Sequence, residues 1–481
     1  MKKKMLFVMA TIVAFALFVP SVMAADVSSD LASAVSAAED GDTLTLTDDI
    51  EVTSVITIDK ELTLDLAGFD VLFKNHSYLL VEDGNLTVTG EGTMAEETPY
   101  YAPIMVIGST VEAEADYSVL PVGEDVTLEG WSGVFVRQNS SNTAYGVNIT
   151  INGTIEAKTD NDGGLGVGVY VNGNIKHVTN APVITLGDTA VVNSTGNGIY
   201  AAGYAVWNIN GASITGVDSG IGAKAGEFNI TDATITGTGT FAEGVKDNNG
   251  ISPTGAAIQI ESNEGYAGKV KLNISGGTYI SENGYALYEY NVDEAENAET
   301  AVSEVEISGG EFVSAEGKEV IALSEEFVEE HGTTEFIEGG SFVSGEEETL
   351  VETLFGYYVA VEDAVILTLY EVTDGKVGES DSFYVEKGTA LTETFGTEFE
   401  KSLKDELKKE NKYLYDATYA DKDLKTKFDF TKALDADTAM YVSVTTNPDT
   451  GDINLATLIG TILVGMVGLA IVLRKRFAKE N

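Results

Sequence analysis

Few side chains in this sequence could do chemistry, and each kind sets its own requirement. Carboxylates placed close together can act as acid and base on opposite sides of a bond. The nearest groupings are Asp160-Asn161-Asp162 and Asp247-Asn248-Asn249-Gly250, both followed closely by glycine, which is turn composition. Proton abstraction from a sugar acid needs a base with cations beside it. Between Ala25 and Thr450 there is a single arginine, Arg137, and His76, His177 and His331 stand far apart. A calcium loop of the EF-hand kind fails on spacing, because the twelfth position counted from Asp160 is Val171 rather than Glu. No catalytic residue, metal site or cofactor is expected. The remaining group is Asn447-Pro448-Asp449-Thr450-Gly451. Pro448 fixes a bend, and Gly451, without a side chain, leaves the Thr450 carbonyl open to close approach.

The surroundings of that pentapeptide define its context. Directly after it, residues 455–473 form a 19-residue run without a charge, followed by Arg474, Lys475 and Arg476. Such a run is long enough to span a bilayer, with the basic tail at 474–481 on the cytoplasmic side. Pentapeptide, span and tail together resemble the LPXTG-type cell-wall sorting signal of Gram-positive surface proteins. The resemblance implies that a sortase transpeptidase recognises residues 447–451. Its thiolate would attack the Thr450 carbonyl, release Gly451 with the membrane helix, and pass Thr450 to an amine of a cell-wall peptidoglycan precursor. Asn447 stands where the common signal has Leu, which bears on the class of sortase. The alternative is a plain single-span protein with a chance Pro-x-Thr-Gly. At the other end, Lys2, Lys3 and Lys4 precede an apolar run at 5–18, then Pro20 and the small-residue pattern ending at Ala24. This is the order of a secretory signal peptide over residues 1–24, cleaved between Ala24 and Ala25.

Removing both ends leaves 21 of the 28 basic and 75 of the 77 acidic residues, a formal charge near −54. A field of that sign repels nucleic acid and anionic lipid, so neither is an expected partner; the membrane is met only through the cleaved C-terminal helix. The absence of cysteine rules out disulfides and thiol catalysis in an extracellular chain.

The elements that carry these residues follow from two interleaved patterns. One alternates apolar and polar positions before a turn: Leu86-Thr87-Val88-Thr89-Gly90, Ile149-Thr150-Ile151-Asn152-Gly153, Trp207-Asn208-Ile209-Asn210-Gly211, Phe228-Asn229-Ile230-Thr231-Asp232, Leu272-Asn273-Ile274-Ser275-Gly276 and Val305-Glu306-Ile307-Ser308-Gly309. The other leads with glycine: Gly133-Val134-Phe135-Val136, Gly168-Val169-Tyr170-Val171, Gly198-Ile199-Tyr200-Ala201 and Gly220-Ile221-Gly222-Ala223. Period-two alternation makes each a strand with one buried row, and such short units must stack to share a core. Two strands per repeat and about a dozen turns of roughly 4.8 Å are expected. The pattern resembles a right-handed parallel β-helix of the pectin-lyase-like superfamily over roughly residues 40–365. A β-sandwich is the competing arrangement of short alternating strands. Ser29 can cap a short helix, with Leu31, Ala34, Val35 and Ala38 on one face and an end near Gly41, that covers the first turn.

The stretch 282–363 holds 23 acidic residues and one lysine, Lys318, and reads as a solvated face. Nine lysines then fall within 401–432, where Phe399, Leu403 and Leu407 mark an amphipathic helix. The run from Tyr419-Ala420-Asp421 to Phe428-Asp429-Phe430 and Tyr441-Val442 resembles the end of an internalin-type B repeat, which implies a small β-grasp-like α+β module. The expected organisation is a signal peptide at 1–24, a mainly β solenoid at 25–365, the module at 366–446, the motif, the transmembrane helix and the tail. Trp131, Trp207, Tyr170, Tyr200 and Tyr204 are expected in core packing, since about half the positions of a strand point inward. The leading expectation is a non-enzymatic adhesin or display protein whose lateral face meets a host or matrix glycan or protein. The pectin-lyase-like resemblance also admits a polysaccharide lyase or hydrolase, although the Gly-His-Gly and Arg-x-Lys companions of the pectinase hydrolases are missing here. A structural stalk or coat is the third reading. Acids clustered in a cleft would favour the enzyme, an aromatic ledge the adhesin, and a uniform acidic face the coat.

Overall fold

A strand with one apolar row needs a surface to cover that row. In the computed structural model, which describes residues 24–242, 252–262, 265–291, 302–410 and 413–446, the covering surface is the next coil of the same chain. The protein is mainly β, with a 21-stranded and a 10-stranded sheet whose strands run parallel from coil to coil, consistent with a parallel β-helix. The alternating pattern supplies the larger sheet, in strands such as Val147–Ile151, Val206–Gly216 and Val270–Ile274. The glycine-led pattern supplies the smaller one, in Ser132–Arg137, Val167–Val171, Asn197–Ala201 and Ser219–Ala223. Among the described strands of these two sheets, antiparallel pairing, which a sandwich requires, is confined to Ile337–Ser344 and the hairpin Glu347–Glu352 and Tyr358–Ala360 that follows it.

Register is kept position by position. Leu120, Ile149, Ile184, Trp207, Phe228, Leu272 and Val305 are successive neighbours in one column. Ile104, Val134, Val169, Ile199, Ile221, Ile258 and Leu287 form its counterpart in the smaller sheet. All but the half-buried Val305 are buried in one continuous core. Each fully buried Val, Leu or Ile contributes roughly 1.5–3 kcal/mol. The glycines of the second pattern have a steric cause. A Cβ on Gly133, Gly168, Gly198 or Gly220 would collide with the inward Ile155, Val192, Ile214 or Ile235 of the next coil.

One expectation about the coil is corrected. The coil has three strands rather than two, because Thr154–Ala157, Val191–Ser194 and their equivalents form a third face. The long strands Val206–Gly216 and Gly226–Gly237 pair with two faces at once, so these faces belong to one bent sheet. Gly153 reads in sequence as a strand end, whereas it is a corner between two strands. Among the described residues one face of the larger sheet stacks twelve strands, from Ala24–Val27 to Ile337–Ser344, in agreement with about a dozen turns, and the smaller sheet covers ten of them.

At the start, α1 (Leu31–Ala37) lays Leu31 and Val35 on the core. Its cap is Asp30, not Ser29: the Asp30 carboxylate accepts the Ser33 N–H at 3.0 Å. It ends at Ala37, before Gly41, where Lys60 Nζ donates to the Val35 and Ala38 carbonyls.

Toward the other end, α2 (Glu325–His331) places Phe327 in the core. A second hydrophobic cluster, from Leu354 to Val444, then surrounds a four-stranded sheet in the order Lys376–Glu386, Ala364–Thr373, Thr438–Thr446, Tyr413–Tyr419. Its central pair is parallel and its outer pairs antiparallel. The expected amphipathic helix is α3 (Glu393–Glu410), with Phe399 and Leu403 buried in this cluster and Glu400 paired to Lys404 at 3.8 Å.

The stack of Tyr279, Phe312 and Phe342, with centroids 4.6 and 5.0 Å apart, fills the last coils. Phe312→Ala is expected to cost about 3–5 kcal/mol, read from the urea midpoint. The exposed Thr150→Ala should stay within about 0.5 kcal/mol of the parent.

Candidate functional site

The pentapeptide Asn447 to Gly451, the apolar run at 455–473 and the basic tail lie outside the described residues, as do residues 1–23. Among the described residues no helix is long and apolar enough to cross a membrane. Ala24 and Ala25 open the first strand, Ala24–Val27, and pair with Thr43 and Leu44. The last strand, Thr438–Thr446, ends one residue before Asn447.

The other candidate groups are not brought together. Asp160 closes a turn, its Oδ1 accepting the Asp162 N–H at 2.9 Å and the Gly164 N–H at 2.7 Å. The group at 247–250 lies outside the described residues. His76 is exposed against the ring of Tyr100, and His331 lies on α2. His177 is buried, its Nε2 accepting the Ala144 N–H and its Nδ1 facing the Thr179 carbonyl, both at 3.0 Å. That geometry needs the proton on Nδ1 and none on Nε2, so the ring is neutral, and burial holds its pKa below the usual histidine range. Among the described residues no three His, Asp or Glu side chains gather in metal-binding geometry.

The aromatic residues expected in core packing are buried or half-buried, but in three separate hydrophobic clusters rather than one. Trp207 is in the core, stacked on Phe228. Trp131, Tyr170 and Tyr200 lie on the opposite face of the ten-stranded sheet, and Tyr204 packs in a small cluster of its own with Ala181 and Ala225. Leu80, Met105, Phe135, Tyr170 and Tyr200 are strand neighbours in one outward column. Phe135, Tyr170 and Tyr200 stack nearly parallel, at 20° and 14°. Rings stacked on one another spend their faces within the column, so it is a rib and not an open sugar platform. Beside it, Lys224 and Glu261 are almost wholly buried, 3.4 Å apart, with Lys224 Nζ 5.1 Å from the Tyr266 ring centre.

Sequence reasoning misses this pair, because its register becomes visible only when Ala223 is set beside Ile260. It also misses two buried carboxylates. Glu96 accepts the N–H groups of Tyr100, Tyr101 and Trp131 at 3.1, 3.0 and 2.9 Å, which fixes the loop between them. Burial still pushes its carboxyl above the usual range. Glu289 occupies the inward row beside Ile260 and accepts from the Ser324 N–H and hydroxyl and from Ser303 Oγ. Carrying the alternation through Leu287, Tyr288 and Glu289 would have shown an acid facing in.

Ser324 is the N-cap of α2, and α2 forms a wall of a large cleft, about 1370 Å³ in volume. The cleft lies where the ten-stranded sheet stops and the four-stranded unit begins. Half-buried Ile321, Leu323 and Leu350, packed against the core, reach its floor. Exposed Glu319, Glu335, Glu346, Glu347 and Asp363 are on its rim, with Lys318 the single basic residue in the lining. A general acid of the glycosidase kind is held in an apolar pocket. These carboxylates are solvated, which suits attraction of a cation rather than proton transfer. No family model matches the chain, and no curated protein or solved structure matches it either.

Burial raises the pKa of Glu289 above that of an unfolded glutamate, so its ionised form weakens the fold most at neutral and higher pH. The burden is relieved as pH falls through the raised pKa. Glu289→Gln keeps acceptors for Ser324 and removes the charge. Its melting temperature is expected to exceed the parent's at pH 8, with the gap narrowing toward pH 5. An equal gap at both values would assign the effect to packing alone.

Proposed function

We propose that this chain is a non-enzymatic surface protein, secreted and then fixed covalently to the cell wall of a Gram-positive bacterium. In this reading a right-handed parallel β-helix of the pectin-lyase-like kind is displayed outward on a β-grasp-like module. The observation that carries it is the order of features at the C-terminus. The last strand ends at Thr446, the pentapeptide begins at Asn447, and a charge-free run and a basic tail follow. A peptide directly outside a folded unit is accessible to a transpeptidase, and a following span holds it at the membrane where such an enzyme works. The four-stranded unit supports the module reading through its strand order and central parallel pair.

Display without catalysis is favoured by how the polar groups are used. Asp160 is committed to a turn, His177 to a neutral structural bridge, and Glu96 to three backbone N–H groups. The outward positions of the larger sheet are mostly half-buried or exposed and the charge is strongly negative, which suits a rod held away from an anionic surface.

Fractionation of cells tests the anchor. The parent is expected in the fraction released by wall-degrading enzymes, its C-terminal peptide ending at Thr450 and carrying a wall fragment. Thr450→Ala is expected in the membrane fraction with residues 455–473 retained. A parent peptide that runs intact through Leu473 would show an ordinary membrane-spanning protein.

A further inference from the structure

The two sheets of the solenoid end differently. The larger one is closed by the antiparallel hairpin Glu347–Glu352 and Tyr358–Ala360. The smaller one ends on the two-residue strand Ile321–Ala322, which pairs with Leu287–Asn291 on one side and with no further strand among the described residues. A free strand edge carries unpaired backbone donors and acceptors and is a template for another strand. This edge borders the cleft of about 1370 Å³, whose floor exposes part of the core through Ile321, Leu323 and Leu350. An extended segment lying there would send alternate side chains down to that floor and up to the rim.

The rim decides the chemistry of the occupant. Exposed Glu319, Glu335, Glu346, Glu347, Glu362 and Asp363 face a single Lys318, whose Nζ lies 5.6 Å from the Tyr285 ring centre. Like charges set against each other are disfavoured. A second copy of this acidic chain, an anionic lipid or a nucleic acid is therefore a poor occupant. We propose that the cleft binds an extended peptide segment of a partner protein, alternating basic and apolar residues, that adds as a strand to the edge at Ile321–Ala322. Its apolar side chains cover Leu323 and Leu350, and its lysines or arginines meet the glutamates of the rim. The inference does not depend on how the chain is attached to the cell.

The test uses the soluble mature chain, residues 25–450, and fluorescent peptides that alternate lysine with valine or lysine with glycine at equal charge. Anisotropy is followed at about 0.15 M salt, where surface attraction is largely screened. The lysine-valine peptide is expected to bind at least about tenfold more tightly than the lysine-glycine peptide. Glu346→Lys with Glu347→Lys should weaken binding of the lysine-valine peptide strongly, while Glu124→Lys with Asp125→Lys, an equal charge change on a distant coil, should leave it nearly unchanged. Hydrogen exchange should slow in residues 319–323 when the peptide is bound. Equal binding of the two peptides, or equal loss in the two variants, would mean diffuse attraction to an acidic surface and overturn the proposal. So would an absence of binding, or binding without protection at 319–323.

Discussion

Every coil of this protein hides its apolar row only because the next coil lies on it in register. The chain has no cysteine, so no disulfide holds the coils together. Leu120, Ile149, Ile184 and Trp207 occupy one column because the strands that carry them pair residue for residue. A slip of one position would turn each inward side chain to solvent and each polar one inward. The glycines at 133, 168, 198 and 220 serve the same constraint, since any side chain there would strike the next coil.

The constraint also explains where polar chemistry can sit. Inward positions are denied to charges unless partners are built in, and Glu289 is accepted through Ser303 and the cap of α2. The outward face of the smaller sheet carries stacked rings and a buried ion pair, which add packing around the core. Among the described residues the remaining carboxylates of the acidic stretch are mostly solvated, in keeping with the reading of 282–363 as a charged face. A stack of coils is left with its ends as weak points. One end is covered by α1, and the other is covered on the larger sheet only.

The strands were legible in the sequence because alternation is a local signal: the pattern at Ile149 and Ile151, or Val169 and Val171, shows which side chains are buried without knowledge of the neighbour. The third strand of each coil was not, since a strand as short as Thr154–Ala157 directly behind Gly153 has too few alternations to stand apart from a turn. The aromatic rib was read as packing, but the cluster it forms was hidden for another reason. Tyr170 and Tyr200 alternate correctly with inward Val169 and Ile199, yet they are shielded by residues distant in sequence such as Trp131 and Tyr266. The ion pair of Lys224 with Glu261 and the cleft beside Ile321 depend on register and on where the stack ends, which no local pattern encodes. The pentapeptide, by contrast, is legible only in sequence, since its residues lie outside the described structure.

The most direct test of the stacked parallel register uses the absence of native cysteine as a clean background. Thr150 and Thr185 are direct neighbours on adjacent coils, whereas Thr150 and Asn208 are separated by two strand spacings, about 9.6 Å. A bifunctional bimane, fluorescent once it bridges two neighbouring thiols, would be added to Thr150→Cys with Thr185→Cys and to Thr150→Cys with Asn208→Cys. The stacked arrangement requires strong fluorescence from the first pair and little from the second. Bridging of the second pair in preference to the first, or of neither, would contradict the register on which the whole account rests.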